Sequence, residues 1–294
     1  MPFWELVVPT AAETSEGLTN FLWEQGALGV VEEEMPGERP RLRAFYPEVA
    51  PASRLVAAVS AYRGALAALG QEIGPGEATI TPLLDEAWAQ AWQAGFPPRE
   101  IGRRLLVLPP WDVPPPSGHR LAVIIEPGRA FGTGHHGSTE GCLVLLEDAV
   151  GTHPPACALD IGTGSGILAV AAIRLGATSV LAIDVDPDAV AAAGKNAARN
   201  GIASAIDLRL GGLERVPADR RFPLVLANLL RESHRAFGAR YEALLAPAGA
   251  LVLGGMLADE DHEVEAALAG RGLALERRLV LDGWASHLWR RLPS

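Results

Sequence analysis

Residues 158–167 read Ala-Leu-Asp-Ile-Gly-Thr-Gly-Ser-Gly-Ile, an apolar run that meets glycines at alternate positions, Gly162, Gly164 and Gly166, before an apolar helical stretch. Strand, glycine turn and helix in that order open a parallel sheet of the kind that brings its backbone close to a ligand. Only glycine leaves room for that approach. The dinucleotide fingerprint is Gly-x-Gly-x-x-Gly. Here the third glycine comes one residue early, and Ile167 stands where that fingerprint wants glycine. Asp160, at the strand tip, would repel a pyrophosphate but attract the ammonium of an amino acid. The acid-x-Gly-x-Gly-x-Gly pattern therefore favours S-adenosylmethionine over NAD.

The rest of the chain narrows the choice further. Its 294 residues suit one large or two ordinary domains, and 49% hydrophobic with 20% charged residues is a globular balance. Apolar stretches such as 167–173 fall far short of the roughly 20 residues that span a bilayer. Glu5, Pro9 and Glu13 stand where a secretory signal would be basic and then apolar, so a cytoplasmic protein is expected. Cys142 and Cys157 cannot build a disulfide framework and belong to no Cys-x-x-Cys pattern. A net charge of −10 is the wrong sign for a protein that gains affinity by neutralising phosphates, which argues against nucleic acid. Lys195 is the single lysine, and its Gly194-Lys195-Asn196 context is no P-loop; a pyridoxal enzyme would need this residue as its Schiff base.

Strand and helix signals over residues 1–82 alternate as strand 3–8, helix 15–25, strands 28–32 and 41–46, helix 52–69 and strand 78–83. This βαββαβ order predicts a small ferredoxin-like α+β domain. It carries five arginines against eleven acidic residues, a net of −6. Residues 83–118 are expected to be a connector. A short helix over 85–93 places Trp88 and Trp92 on one face, and Pro97, Pro98, Pro109, Pro110 and 114–116 interrupt regular structure, with Gly95 and Gly102 as hinge points. Residues 119–294 then alternate strand and helix, with strands at 121–125, 156–160, 179–185, 205–210, 223–227 and 250–254. Strands 273–281 and 285–290 follow, separated by Asp282-Gly283-Trp284, and ask for a closing hairpin. The expected fold is α/β, a doubly wound sheet with an antiparallel last pair.

Asp184 ends the strand after the glycine turn and is placed to accept hydrogen bonds from both hydroxyls of a ribose. Asp186-Pro187-Asp188 reads as a helix start and Gly201 as its stop. Asn228, in Leu-Ala-Asn-Leu-Leu, puts an amide at the end of the fourth core strand, where ligand crevices of such sheets lie. Methyltransferases of amide or ring nitrogens typically follow this position with Pro-Pro-aromatic. Leu229, Leu230 and Arg231 replace all three, which favours an aliphatic amine over a planar substrate. The segment 126–136, Glu-Pro-Gly-Arg-Ala-Phe-Gly-Thr-Gly-His-His, is expected to fold over the pocket, and Ser138 and Thr139 behind it are either N-caps or hydroxyls aimed at the ligand. His135 is read as a loop histidine near the substrate. No carboxylate or cysteine stands at ligand spacing beside His135 and His136, so no metal is expected. The other histidines are assigned to surface or core.

With these residues in hand, the chain resembles the family that methylates ribosomal protein L-eleven, the PrmA-type class I methyltransferases. The resemblance rests on Pro-Gly-x-Ala-Phe-Gly-Thr-Gly-x-His at 127–136, Asp-x-Gly-x-Gly-Ser-Gly-Ile-Leu at 160–168, Leu175-Gly176-Ala177, Asp184-x-Asp186, Asn196-x-x-x-Asn200-Gly201 and Ala227-Asn228-Leu229. It covers the catalytic domain strongly and the first 82 residues mainly in layout. The sequence departs where the family usually has Asp for Glu126, Thr for Ser138 and often Cys for Thr163. The resemblance implies a seven-stranded class I methyltransferase domain behind a ferredoxin-like domain that recognises the substrate protein. It implies that Thr139, Gly162, Asp184 and Asn228 contact S-adenosylmethionine. Asp160, Gly164, Gly166, Phe131, Gly132 and Thr133 complete the expected cofactor set, and Asn228 and His135 are the expected catalytic residues. It further implies a bacterial, monomeric enzyme acting on lysine side chains and an α-amino group of a large-subunit ribosomal protein, with repeated rounds giving trimethylation. A small-molecule or other protein amine methyltransferase with the same cofactor site is the alternative.

Overall fold

A computed structural model describes residues 3–33, 40–47, 50–83, 93, 96–112, 119–127 and 136–292. The expected helix over 85–93, Gln93 apart, with Trp88 and Trp92, the hinge residue Gly95, and the loop residues Phe131, Gly132, Thr133 and His135 lie outside the described residues. The chain divides into two compact units, residues 1–97 with 127–129 and residues 98–126 with 130–294.

The first unit has strands β1 (Phe3–Pro9), β2 (Gly29–Glu33), β3 (Arg41–Pro47) and β4 (Thr79–Leu83), with helices α1 (Ala12–Glu24) and α2 (Ala52–Ala68). Its sheet runs β2-β3-β1-β4, all pairs antiparallel, the ferredoxin-like layout expected. Alternation decides the core. Leu6, Val8, Leu42, Ala44 and Tyr46 turn one face of the sheet onto Leu18 and Leu22 of α1 and Leu55 and Val59 of α2. The buried Tyr46 hydroxyl donates to the Leu22 carbonyl at 3.0 Å, which satisfies the one polar atom that ring brings inside.

The second unit holds two sheets. The smaller is β5 (Arg99–Ile101), β6 (Leu105–Leu108) and β7 (Leu121–Ile124), in that order. Pro97 and Pro98 therefore stand just before β5, and Pro109 and Pro110 just after β6, at strand ends where a missing N–H costs no ladder bond. The strand at 121–124, expected in the main sheet, pairs in parallel with β6 instead. The turn between β5 and β6 is pinned by buried Glu147, whose carboxylate accepts from Arg103 N at 2.9 Å, Arg104 N at 3.1 Å and Arg103 Nε at 3.0 Å.

The main sheet has seven strands: β8 (Cys157–Ile161), β9 (Ser179–Asp184), β10 (Ile206–Leu210), β11 (Phe222–Asn228), β12 (Leu245–Leu257), β13 (Leu273–Leu281) and β14 (Trp284–Arg291). Their order is β10-β9-β8-β11-β12-β14-β13, parallel up to β12 and antiparallel beyond. Both faces are covered, so the strands are nearly all apolar. Ala158, Val180, Leu226 and Val252 face a core with α3 (Gly137–Val150), α4 (Ile167–Arg174) and α5 (Pro187–Arg199). The intervening Leu159, Leu181, Val225 and Leu251 face α6 (Arg231–Leu244) and α7 (Asp261–Leu268). The Asp186 side chain caps α5 by accepting from Asp188 N at 2.8 Å, with Pro187 in the first turn. Asp282 and Gly283, at φ 50° and 80°, make the two-residue turn of the closing hairpin.

Candidate functional site

The carboxyl ends of β8, β9 and β11 lie side by side. Asp160 is level with Ala182 on one side and Leu226 on the other, and two residues further the same register brings Gly162, Asp184 and Asn228 to one level. This is the switch point of the sheet, where β8 has neighbours whose connections leave in opposite directions and a crevice opens. Gly162 turns the chain with φ 70°, which is what requires glycine there, and a Cβ would also crowd Leu229 Cδ2, the movable end of that side chain. Gly166, at φ 82°, starts α4 against α5, where a Cβ would meet Ala193 at 3.1 Å.

Asp184 organises the turn. Its Oδ2 accepts from Gly164 N at 2.9 Å and its Oδ1 from Asp186 N at 3.0 Å, while Gly162 N and Thr163 N bond the Ile183 carbonyl. Each carboxylate oxygen keeps a further lone pair for a ligand hydroxyl. Asp160 lies deeper than its place at a strand tip implies, with no solvent exposure. Its Oδ2 accepts from Thr163 Oγ1 at 2.6 Å, and its Oδ1 has no partner among the described residues. Burial pushes this carboxyl up to about 7, helped by the negative charge of Asp184 and against the pull of the Thr163 hydroxyl and, more weakly, of the Ala169 backbone N–H.

Asn228 meets the start of α3. Its Nδ2 donates to Thr139 Oγ1 at 3.3 Å and Ser138 Oγ at 3.4 Å, and its Oδ1, buried, has no partner among the described residues. Gly254 and Gly255 make room for that oxygen, since a Cβ on either would approach it to 3.0 Å. Ser138 and Thr139 are therefore not the helix cap. His136 holds the cap position, its Nδ1 lies 2.8 Å from Ser138 Oγ, and its ring tilts against Trp284 at 4.5 Å. Burial lowers His136 to about 4, opposed by the Asp282 charge, so the imidazole is neutral near pH 7. Sequence reasoning assigned no role to His136; only its position two residues before Ser138 hinted at the contact.

The family model described as "Ribosomal protein L11 methyltransferase (PrmA)" matches residues 2–291. The chain belongs to that family. It is 39% identical over 216 residues to the ribosomal protein L11 methyltransferase of Pelobacter propionicus, covering 72% of this chain and 69% of that one. With the Heliobacterium modesticaldum protein of the same name it shares 33% identity over 321 aligned positions, 99% of this chain and 98% of the relative. A crystal structure of a ribosomal protein L11 methylase from Lactobacillus delbrueckii subsp. bulgaricus superimposes with a TM-score of 0.61 at 31% identity, over 67% of this chain and all (100%) of that one.

Two buried acceptors, Asp160 Oδ1 and Asn228 Oδ1, thus lie at the ends of β8 and β11 without a donor among the described residues. The remaining titratable cluster is of another kind. Asp261 Oδ2 accepts from both Arg278 Nε and buried His287 Nε2, the latter at 2.9 Å, with Glu265 at 3.7 Å from the imidazole. The arginine already compensates Asp261, and His287 Nδ1 has no acceptor, whereas a metal-bound histidine donates its second N–H. We read this cluster as an ion network joining α7 to the β13–β14 hairpin. Among the described residues, no helix is long and apolar enough to cross a membrane.

Proposed function

We propose that this chain transfers methyl groups from S-adenosylmethionine to amino groups of ribosomal protein L11, on lysine side chains and an N-terminal α-amino group, in repeated rounds that end at trimethylation. The observation that carries this reading is the pair of buried, unpartnered acceptors, Asp160 Oδ1 and Asn228 Oδ1, flanking the glycine turn that Asp184 holds. S-adenosylmethionine supplies an electrophilic methyl on a positively charged sulfur. Every other contribution comes from the chain. Asp184 takes ribose hydroxyls, Gly162, Gly164 and Gly166 leave the backbone open, and Thr139 orients Asn228.

A lysine must reach the site neutral. With an ordinary pKa of about 10.4, deprotonation at pH 7 costs roughly 4 to 5 kcal/mol, which burial and a nearby cation offset by lowering that pKa. The proton leaves to solvent as the amine enters the site. Asn228 cannot take a proton; in the first two rounds its Oδ1 accepts an N–H of the incoming neutral amine and aims the nitrogen lone pair, an orientation effect, whereas the tertiary amine of the third round has no N–H and is aimed by contact alone. Phe131, Gly132, Thr133 and His135 are proposed to cover the pocket, with His135 near the substrate.

Residues 1–82, with a net charge of −6, are proposed to hold the basic substrate protein, residues 83–118 to connect, and residues 119–294 to catalyse. The enzyme acts as a cytoplasmic monomer. The test is incubation of the purified protein with S-adenosylmethionine and recombinant L11, read by mass spectrometry of the intact product and its peptides, alongside calorimetric titrations with S-adenosylmethionine and NAD. Methyl groups on lysine and α-amino nitrogens are expected, with heat from the first cofactor alone. Methylation confined to carboxylate or guanidinium groups, or binding of NAD instead, would overturn the proposal.

A further inference from the structure

The two asparagines of the Asn196-x-x-x-Asn200 pattern have no part in the chemistry above. They stand four residues apart on α5 and its C-cap, on one face, and both are buried. That face meets the end of β7 and the strand's onward path. Asn200 Oδ1 accepts from Ile124 N at 3.0 Å and its Nδ2 donates to Ile124 O at 2.7 Å, so the amide pairs with this residue as a neighbouring strand would. Two residues along the same edge, Asn196 Oδ1 accepts from Glu126 N at 3.0 Å. The other end of the Asn196 amide does something different: Nδ2 donates to the carbonyl of Ser165, inside the glycine turn, at 2.9 Å.

One side chain thus joins two separate segments. Glu126 is the last residue before the 127–136 segment, and Ser165 lies between Gly164, which Asp184 holds, and Gly166, which starts α4. Two further contacts brace the arrangement: Arg199 pairs with Glu126 at 2.8 Å, and Arg174 Nη2 donates to the Asn200 carbonyl at 2.9 Å. An asparagine amide suits the task because it offers an acceptor and a donor in one rigid plane. Aspartate keeps the acceptor for Glu126 N and loses the donor for Ser165.

We infer that Asn196 is a positioning residue for methyl transfer, setting the backbone at Glu126 against the glycine turn, while Asn200 serves only to hold the strand. This rests on the methyltransferase reading above. Asn196→Asp is expected to raise the KM for S-adenosylmethionine and its calorimetric Kd together by about tenfold, the equivalent of one lost hydrogen bond, with kcat changing less. Asn200→Ser should lower the Tm and leave both constants as in the wild type. In the wild-type enzyme, exchange of the Glu126 amide hydrogen should slow when S-adenosylmethionine is added, because the turn that binds it also holds Asn196. A folded Asn196→Asp enzyme with unchanged KM and Kd would overturn the inference. Should that variant fail to fold, Glu126 exchange indifferent to S-adenosylmethionine would do the same. Failure of the underlying reading is distinguishable, since it shows as a wild-type protein that neither binds S-adenosylmethionine nor methylates L11.

Discussion

Replacing Asp160 by asparagine should make the cofactor-free protein more stable, and by an amount that depends on pH. The carboxyl is fully buried with one oxygen unpartnered, and its folded pKa is about 7 against an ordinary 3.8. A carboxyl whose pKa is raised by folding binds more protons in the native state, so stability falls as pH rises through the window from about 4 to about 7. At about 1.4 kcal/mol per pKa unit, the full penalty of carrying the ionised group is roughly 4 to 5 kcal/mol above pH 7. Asparagine mimics the protonated acid: its carbonyl can accept from Thr163, and its NH2 sits where the acid would carry its proton. Urea unfolding of both proteins at intervals from about pH 4 to about pH 8.5 measures the difference directly. The two should be nearly equal at the acid end, and the variant should lead by a few kcal/mol at the alkaline end. S-adenosylmethionine should reverse the order, since its ammonium favours the carboxylate, and its binding to the wild type below pH 7 should release protons, visible as a buffer-dependent calorimetric heat. A stability difference independent of pH would refute the reasoning.

Three further outcomes are expected. Asp184→Ala removes the anchor of Gly164 N and Asp186 N and the acceptors for the ribose, each such charge-assisted bond worth roughly 1.5 to 3 kcal/mol, so the Kd for S-adenosylmethionine should rise by a hundredfold or more; equal affinity in isothermal titration would contradict the assignment. Gly162→Ala should lower the Tm and the activity together, because it strains a φ of 70° and drives a Cβ into Leu229, and Leu229→Ala in the same protein should recover the steric part but not the backbone part. Association with L11, followed by stopped flow, should slow as salt is added if the acidic first 82 residues steer it; a salt-independent rate would remove that role from them.

What could be read without coordinates was local. The βαββαβ order, the glycine turn, the cap at Asp186 and the turn at Asp282-Gly283 follow from side-chain periodicity and from backbone angles that few residues tolerate, and neighbours in sequence settle both. Asp184 and Asn228 were legible because strand ends in an open parallel sheet point to one crevice. Partners distant in the chain were not. The strand at 121–124 reads the same whichever strand it pairs with, and only assembly put it beside β6. The contact of Asn228 with Thr139 spans 89 residues, and that of Asn196 with Glu126 spans 70, so each exists only because strand register and helix packing bring the two ends together. Asp160 is the sharpest case. Its sequence position marks it as a carboxylate at a strand tip, but its charge depends on how much protein lies over it, and that depth is a property of the folded core alone.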